Sequence, residues 1–355
     1  MRIAIVAGPY LPVPPKKYGG TEQVVYHLIK GLLELGHEPI LLAPADSKVD
    51  CELVPITDKA IDFAKTPAEL RKHSALVKKI TNNTAKTLEK LLSRIDIIHS
   101  HGFDLKDFSR FPNLTTLHNT IGFNDLPYYH DRKQLYYVSI SKNQQMACPN
   151  LQYVGTVYNG EDPAVFTIVD KPKNYLSFLG RMDRDKNPHL AIELAISLGM
   201  KIKLAGKIDH QGIDYFNQEI KPYLKHPLVE WLGELAEKEK IELISKARCN
   251  LHPTSFREPF GLTVLEAAYC GTPTLAINRG AMPEIIEEGR TGAMVQDFIE
   301  GYFKINECFS MDRRYIAQSA RKRFNYQIMA GQYLRAYRKV IKSKAWPSKE
   351  FKAKL

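Results

Sequence analysis

The residues best suited to chemistry lie in one segment, Arg257-Glu258-Pro259-Phe260-Gly261-Leu262-Thr263-Val264-Leu265-Glu266. Glu258 and Glu266 place two carboxylates on either side of a predicted strand-to-helix junction. The free N–H groups and the positive dipole end of a helix start attract phosphate, and carboxylates accept hydrogen bonds from sugar hydroxyls. The segment therefore predicts a site for a diphosphate that carries a sugar at one end and a ribose at the other.

Two carboxylates also suit glycoside hydrolysis, in which one acts as an acid and the other as a base beside a glycosidic bond. We favour this interpretation less, because Glu266 falls inside the predicted helix 263–270 and Glu258 precedes it among phosphate-binding features. The two side chains could also be unrelated, one on a surface and one on a helix face. The spacing alone does not separate a joint site from unrelated side chains, so the decision rests on the remainder of the chain.

Cations and glycines elsewhere extend the same chemistry. Arg181 and Lys186 follow a predicted strand, where two positive charges can clamp a diphosphate and stabilise the charge that grows as a nucleotide leaves. Gly19 and Gly20 follow the first strand, where the lack of side chains lets backbone N–H groups approach a phosphate. The GxGxxG fingerprint is absent from this loop, which argues against a dehydrogenase.

Histidines and serines end several predicted strands. A lone histidine at a strand end is more often structural, but His118 is expected to point into a cleft and to hydrogen-bond a sugar hydroxyl. For His99 and His101 the sequence leaves open whether they line an acceptor site. Ser139 and Ser141 are predicted to cap the helix that follows them.

Composition limits the class of protein. The 355 residues suffice for two domains, and 44% hydrophobic with 25% charged residues is typical of a globular chain. No apolar stretch approaches the ~20 residues that span a bilayer. The five scattered cysteines lack metal-ligand spacing and are expected to be reduced thiols of a cytoplasmic protein, so no metal site is predicted.

The net charge of +11 favours anionic partners. No nucleic-acid motif accompanies the basic clusters, so we expect no nucleic-acid binding. The basic face of a helix over 67–93 and the basic tail suggest a peripheral contact with anionic lipid at the inner face of the membrane. A solvated surface with no lipid partner is the alternative interpretation.

Strands and helices are predicted to alternate along the chain, from a first strand at Ile3–Ala7 and a helix capped by Thr21. The alternation restarts after residue 160. Short buried strands that alternate with helices indicate an α/β fold with two doubly wound parallel sheets. Ligands of such sheets bind at the carboxyl ends of the strands, so the candidate residues are expected to meet in a cleft.

These motifs in this order resemble the retaining glycosyltransferases of family 4 (glycosyl transferases group 1), which have the GT-B fold. That fold has two Rossmann-like domains that face a central cleft. The resemblance runs from Met1 to roughly residue 340. It is carried by Tyr18-Gly19-Gly20-Thr21-Glu22, Asp96-Ile97-Ile98-His99-Ser100-His101, Thr116-Leu117-His118-Asn119, Gly180-Arg181 with Lys186, and Glu258-Pro259-Phe260-Gly261-Leu262 with Glu266.

The resemblance implies a domain organisation. Residues 1–159 would form the acceptor-side domain, and residues 160–325 the domain that binds the nucleotide sugar. A final helix is predicted over about 312–341, with an aromatic face of Phe324, Tyr333 and Tyr337. Its part over 326–342 is expected to pack back across to the N-terminal domain, and 343–355 to form a basic tail.

The resemblance also implies a role for each candidate residue. Glu258 would bind the hydroxyls of the donor sugar and Glu266 the ribose, while Arg181 and Lys186 would clamp the diphosphate. His118 would lie near the donor sugar and complete the catalytic set. Backbone groups would bind the donor from six loop and helix-start residues: Gly19, Gly20, Phe260, Gly261, Leu262 and Thr263.

The activity implied is transfer of a hexose, with retention of configuration, from a nucleotide diphosphate sugar to a hydroxyl of a small-molecule, saccharide or lipid acceptor. The departing phosphate would take the acceptor proton, so neither a metal nor a cofactor would be needed. The context of the motifs favours UDP-glucose over GDP-mannose as the donor. The acceptor loops 44–66 and 102–112 carry no signature of the acceptor.

Two readings outside this activity stay open. One is an epimerase or hydrolase of nucleotide sugars on the same fold, and the other is a binding protein that senses nucleotide sugars without turnover. The chain departs from the family at Ala281, where many relatives have a second glycine, and we expect the methyl group to be tolerated.

Overall fold

The structure, a computed structural model, describes residues 1–17, 19–61, 67–210 and 212–344. Within these ranges the chain divides into two compact units. Unit 1 contains Met1–Pro15, Gly19–Glu161 and the C-terminal helix that begins at Tyr326, and unit 2 contains Lys16, Lys17 and Asp162–Asn325. Tyr18 and the basic tail from residue 345, which enter the sequence-based predictions, lie outside the described residues.

The strands are short and, in most cases, buried. In chain order the described strands are β1 (Arg2–Val6), β2 (Glu38–Pro44), β3 (Glu52–Thr57), β4 (Ile97–Ser100), β5 (Asn113–Leu117), β6 (Tyr136–Ser139), β7 (Gln152–Thr156), β8 (Tyr175–Leu179), β9 (Lys201–Ala205), β10 (Val229–Trp231), β11 (Cys249–His252), β12 (Thr274–Ile277) and β13 (Gly292–Val295).

The helices lie between the strands. In chain order the described α-helices are α1 (Gly20–Glu34), α2 (Pro67–Leu91), α3 (Leu126–His130), α4 (Lys142–Gln145), α5 (Pro188–Ser197), α6 (Ile213–Tyr215), α7 (Glu237–Ser245), α8 (Leu262–Tyr269), α9 (Met282–Ile285), α10 (Gly301–Phe309), α11 (Arg313–Arg323) and α12 (Tyr326–Ser343). Among the helices described, none is long and apolar enough to cross a membrane.

Each unit is built on one parallel sheet. The strand order is β3-β2-β1-β4-β5-β6-β7 in unit 1 and β10-β9-β8-β11-β12-β13 in unit 2. In both sheets the chain starts near the centre, builds one side and then crosses to build the other. The prediction of two doubly wound parallel sheets is therefore confirmed. The order reverses between β1 and β4 and between β8 and β11, which is where such sheets leave a crevice for ligands.

Burial on both faces explains why these segments form central strands. Ile3, Ala4, Ile5 and Val6 of β1 are fully buried. A continuous apolar run of this kind is typical of a parallel strand that is covered by helices on both sides.

The start of α1 differs from the sequence-based prediction. Its N-cap residue is Gly19, and Thr21 lies inside the first turn with no capping role. A Cβ atom on Gly19 would lie 2.6 Å from Cβ of Pro15 and 2.9 Å from Cδ1 of Leu11. Glycine is therefore needed at this position because the loop packs closely against the helix start.

Of the two serines predicted to cap a helix, one does so. Ser141 is the N-cap of α4, and its side chain accepts a hydrogen bond from the Gln144 N–H. Ser139 has no capping role, because it is the last residue of β6 and its hydroxyl bonds Oγ1 of Thr156 at 3.0 Å.

The single final helix predicted over 312–341 is wrong, because the chain forms α11 and α12 with a break at Phe324-Asn325. Phe324 is buried, its carbonyl accepts a hydrogen bond from the Tyr269 hydroxyl, and its ring packs edge-on against Phe260. These contacts within unit 2 remove Phe324 from the helix and from the aromatic face predicted for it.

Five of these strands and α-helices are absent from the sequence-based prediction: β3, β13, α3, α6 and α10. β3 falls in the segment 44–66 that the sequence predicts to be a loop. It is an edge strand, half-exposed and interrupted by Pro55, so its apolar pattern is weak. In α10, Phe303 is 81% exposed, which blurs the helical period.

α12 is anchored to unit 1 by close packing on α1. A Cβ on Gly31 of α1 would lie 2.6 Å from Cβ of Ala330, so a glycine allows the two helices to approach. Hydrogen bonds from Tyr326 and Gln327 to the Glu34 carboxylate, at 2.6 and 2.9 Å, fix the first turn of α12.

Further along α12, two tyrosines complete a buried polar network with His99 of β4. Nδ1 of His99 bonds the Tyr337 hydroxyl at 2.8 Å, and Nε2 bonds Oγ1 of Thr116 at 2.7 Å. The Tyr333 hydroxyl lies 2.9 Å from the same Thr116 oxygen. With both ring nitrogens engaged and no exposure, His99 is a core residue that does not line an acceptor site.

Burial lowers the pKa of His99 to about 3. In the unfolded chain a histidine has a pKa of about 6.5. At a pH between the folded and unfolded pKa values, His99 is therefore protonated in the unfolded chain and neutral in the folded chain. The stability that the neutral ring contributes is complete above pH 6.5 and is lost as the pH falls.

We predict that His99→Leu abolishes the uptake of about one proton that accompanies unfolding below pH 6.5. The slope of the unfolding free energy between about pH 6 and pH 5 should fall by about 1.4 kcal/mol per pH unit. Chemical denaturation at a series of pH values measures the slope. His130→Leu, at an exposed histidine, is the control and should keep the wild-type slope. An unchanged slope for His99→Leu would contradict a neutral buried His99.

Candidate functional site

Several of the predicted site residues meet at the crevice of unit 2, where strand order reverses between β8 and β11. Lys186 follows β8 and Glu258 follows β11, and Nζ of Lys186 forms an ion pair with Oε2 of Glu258. The two side chains are 16% and 12% exposed. Partial burial imposes a desolvation cost on each charge, and the ion pair offsets part of that cost.

Backbone and side-chain bonds between the two loops hold this pair in place. Asn187 adopts a left-handed conformation with φ of 47°, and its Nδ2 donates to the Pro253 carbonyl at 3.1 Å. The Ser255 N–H donates to the Asp185 carbonyl at 3.2 Å. Asparagine tolerates the left-handed region better than most residues, so the sharp turn at Asn187 aims Lys186 at the neighbouring loop.

A second support comes from the loop after β12. Gly280, with φ of 63°, packs so closely that a Cβ would lie 2.5 Å from both N and O of Glu258. The next residue, Ala281, donates its N–H to the Glu258 carbonyl at 2.9 Å. These contacts fix the backbone of Glu258 and leave its side chain to act.

The alanine at 281 is compatible with the turn. Its φ of −82° and ψ of −1° lie in the right-handed region, and the residue is fully buried. The expectation that a methyl group is tolerated where relatives have glycine therefore agrees with the local backbone.

His252, the last residue of β11, is a neighbour of Glu258 that the sequence analysis did not identify. Its Nε2 is buried and lies 3.9 Å from Oε2 of Glu258, too far for a hydrogen bond. Burial, together with the nearby Lys186 charge, lowers the pKa of His252 well below its ordinary value. The imidazole is therefore neutral at physiological pH. His252 could have been identified from the sequence, because it is the last residue of a predicted buried strand.

Arg181 follows β8, in the same loop as Lys186. Its Nη1 is 3.2 Å from Oδ2 of Asp183 and 3.5 Å from Oδ2 of Asp209. Desolvation raises the pKa of Asp183, and the Arg181 charge opposes that rise. The two carboxylates hold the guanidinium between the loops after β8 and β9.

The approach of those two loops requires glycine. Gly206 has φ of 154°, and a Cβ at this position would overlap the carbonyl oxygen of Gly180. The Met182 N–H also donates to the Lys207 carbonyl at 2.9 Å. Arg181 therefore projects from a tightly cross-linked pair of loops.

Glu266 lies inside α8, as predicted, and is nearly buried. Oε1 pairs with Nζ of Lys240 from α7, whereas Oε2 is buried and accepts no hydrogen bond from the described residues. An unsatisfied buried carboxylate oxygen is costly. It provides a ready acceptor for a hydroxyl of a ligand.

The start of α8 presents the backbone donors. Gly261 is its N-cap with φ of 99°, and a Cβ there would lie 2.7 Å from Cε of Met282. Leu262 and Thr263 are the first two helical residues, where N–H groups have no partner within the helix. Phe260 is buried against Phe324 and acts as an anchor for this turn.

The other predicted residues belong to unit 1. Gly19 and Gly20 form the start of α1, and His118 directly follows β5. Nε2 of His118 shares a 2.8 Å hydrogen bond with Nδ1 of His101, and the two rings stack at 5.0 Å. Nε2 of His101 is buried and has no partner among the described residues.

Charged partners of the predicted residues were missed by the sequence analysis. Asp183, Asp209 and Lys240 are common surface residue types in charge-rich stretches, and nothing in the sequence marks them as partners of Arg181 or Glu266. Among the residues that the structure describes, no group of three or more histidine, cysteine or acidic side chains is placed to hold a metal ion.

Two family profiles match the chain in tandem. Residues 18–151 match Glycosyltransferase Family 4, and residues 164–304 match Glycosyl transferases group 1. Unit 1 thus contains most of the first match, and unit 2 contains all of the second.

Comparisons with individual proteins agree with the profiles. The chain is 25% identical over 348 residues to a protein named glycogen synthase from Mycobacterium tuberculosis (strain CDC 1551 / Oshkosh), with 82% of this chain and 81% of the relative covered. Two solved structures have similar folds.

One is AviGT4, a glycosyltransferase involved in avilamycin A biosynthesis, with a TM-score of 0.72, 22% identity, and coverage of 96% of this chain and 98% of AviGT4. The other is Anabaena Alr3699/HepE in complex with UDP-glucose, with a TM-score of 0.72, 18% identity, and coverage of 97% and 100%. The tandem profile matches, together with these relatives, show that the protein belongs to glycosyltransferase family 4, the group 1 glycosyl transferases, and is a transferase with the GT-B fold.

Proposed function

We propose that the protein transfers a hexose from a nucleotide diphosphate sugar to an acceptor hydroxyl, with retention of configuration and without a metal ion. The observation that carries the proposal is the Lys186–Glu258 ion pair beside the start of α8, at the strand-order reversal of unit 2. It combines a cation for phosphate, a carboxylate for hydroxyls and free helix N–H groups in one crevice.

The diphosphate is bound by Arg181 and Lys186 and by the first N–H groups of α8. As the bond between the anomeric carbon and the phosphate oxygen breaks, negative charge grows on the diphosphate. Two cations and a helix start that are already in place stabilise that charge without reorganisation. Arg181 is preorganised by its two aspartates, which hold its guanidinium before the donor arrives.

Glu258 binds the hydroxyls of the donor sugar. In the free protein its carboxylate is occupied by Lys186. When the diphosphate attracts Lys186, the carboxylate loses part of this partner and gains hydroxyl donors from the sugar. Binding of the diphosphate and recognition of the sugar are thereby linked through one ion pair.

Glu266 binds the ribose through Oε2, the oxygen with no hydrogen bond from the described residues. Two neighbouring ribose hydroxyls can donate to one carboxylate. Lys240 holds the other oxygen and so sets the orientation of the group. From the resemblance, His118 is assigned to the donor sugar, and Gly19 and Gly20 are assigned to the phosphates.

In the same proposal the acceptor takes the face of the sugar from which the phosphate leaves, and the departing phosphate takes the acceptor proton. Unit 2 is assigned to the donor and unit 1 to the acceptor. UDP-glucose is the favoured donor, supported by the motif context and by the Anabaena neighbour solved with UDP-glucose. GDP-mannose is the alternative donor. We place the protein in the cytoplasm, with peripheral contact between its basic helix α2 and anionic lipid.

The ion pair gives a first prediction for activity. Glu258→Gln and Lys186→Met should each lower kcat/KM by a factor of about 100 or more, because loss of one preorganised group of this type costs roughly 3–4 kcal/mol in the transition state. Initial rates of sugar transfer measure the effect once an acceptor is in hand, and release of nucleotide diphosphate serves until then.

Matched controls are available in the same sheet. Lys201→Met and Glu230→Gln change exposed side chains of β9 and β10 and should keep wild-type rates. Near-normal transfer by Glu258→Gln or Lys186→Met would refute the roles assigned here. Nucleotide release at the same rate with and without any acceptor would favour a hydrolase.

The donor is identified by thermal stabilisation. UDP, GDP and ADP, each with its glucose, mannose and N-acetylglucosamine conjugates, are compared at equal concentration. A ligand at a hundred times its dissociation constant adds about 2.7 kcal/mol of stability. We expect the uridine compounds to raise the melting temperature most, and UDP-glucose to exceed UDP. No shift with any nucleotide would contradict a donor site in this protein.

A further inference from the structure

Three histidines of unit 1 form a continuous cluster at the carboxyl ends of β4 and β5. The rings of His99 and His101 lie 4.2 Å apart, and those of His101 and His118 lie 5.0 Å apart. His99 has both nitrogens engaged by Tyr337 and Thr116. A hydrogen bond of 2.8 Å between Nδ1 of His101 and Nε2 of His118 accompanies the contact between their rings.

The environment keeps these rings neutral. Burial lowers the pKa of His118 to about 4, and burial with two histidine neighbours lowers the pKa of His101 well below its ordinary value. A neutral imidazole has one N–H donor and one bare nitrogen acceptor. In the bond between the two rings one nitrogen must therefore donate and the other accept, and this choice fixes both tautomers.

The second nitrogen of His101 decides which ring donates. Nε2 of His101 is buried and has no partner among the described residues. A buried N–H without an acceptor is rarer and more costly than a buried lone pair without a donor. Nε2 of His101 is thus the bare nitrogen, and its proton lies on Nδ1, facing His118.

The tautomer of His101 determines the tautomer of His118, which is partly buried. Since Nε2 of His118 accepts from His101, the proton of His118 must lie on its other nitrogen, Nδ1. The structure gives Nδ1 of His118 no hydrogen-bond partner among the described residues. Nδ1 of His118 is therefore an N–H donor that remains available to a ligand.

We propose that His101 is a positioning residue that holds His118 as the Nδ1–H tautomer, so that His118 presents an N–H donor to a ligand oxygen. A sugar hydroxyl oxygen or a phosphate oxygen can accept this hydrogen bond, whereas a ligand group that has only N–H donors cannot. The ligand part of this inference rests on the proposed function. The tautomer does not, because it follows from contacts within unit 1.

The tautomer is measured directly in the free protein by nuclear magnetic resonance of 15N-histidine-labelled protein. Two-bond correlations between ring protons and ring nitrogens distinguish an Nδ1–H ring from an Nε2–H ring. The His118 signals are assigned by their loss in His118→Gln. We expect His118 to be the Nδ1–H tautomer near pH 7. An Nε2–H ring, or a charged ring, would overturn the inference whether or not the protein transfers sugar.

Substitutions at His101 test the positioning role. Asn can place its amide N–H close to the position of Nδ1, whereas Leu offers no donor and Asp offers only acceptors. His101→Asn should keep the His118 tautomer and stay within a few-fold of wild-type kcat/KM. His101→Leu and His101→Asp should lose the tautomer preference, and kcat/KM should fall about ten-fold, the effect of one hydrogen bond of roughly 1.4 kcal/mol.

These experiments distinguish the positioning role of His101 from the proposed transferase activity. Equal losses for Asn, Leu and Asp, with the His118 tautomer unchanged in all three, would show that His101 only supports the fold. An Nδ1–H ring in a wild-type protein that transfers no sugar would leave the tautomer in place and remove the proposed function. Circular dichroism and melting temperatures of each variant check that the comparison is made on folded protein.

Discussion

The ion pair between Lys186 and Glu258 is the interaction on which the site depends. It joins the loops that follow β8 and β11, the neighbouring strands of unit 2 between which the strand order reverses. The surrounding backbone is arranged around it: the chain turns sharply at Asn187 beside the lysine, and Gly280 allows a close approach that fixes the backbone of Glu258. Two partly buried charges would be costly alone, and pairing offsets part of that cost. In the proposed function a diphosphate opens the pair.

In unit 1 the buried polar network around His99 consists of neutral rings and hydroxyls. α12 supplies Tyr333 and Tyr337, which satisfy His99 and Thr116 beneath the strand ends. The network needs no charge and so avoids a desolvation cost. The network holds His99 against the ring of His101, so α12 supports the histidine cluster of unit 1.

The fold was predictable from sequence where burial is complete. The bounds of β8, β11 and β12 agree with the prediction, because these short strands are covered on both faces. The bounds of β9 also agree, although Lys201 at its start is exposed. Prediction failed where tertiary contacts override local signals: Phe324 leaves the helix because its carbonyl bonds Tyr269. In the site, glycines, cations and carboxylates at strand ends were recognisable. Their partners, such as Lys240 and Asp209, depend on spatial pairing that sequence spacing does not record.

The most direct test of the account is the affinity of Glu258→Gln for UDP and for UDP-glucose, measured by calorimetry beside the wild type. If Glu258 holds Lys186 until the diphosphate arrives, removing its charge frees the lysine for phosphate. The account predicts that the variant binds UDP at least as tightly as the wild type and loses the added affinity that glucose provides. Equal weakening of UDP and UDP-glucose would contradict it, because Glu258 would then support the diphosphate rather than compete with it.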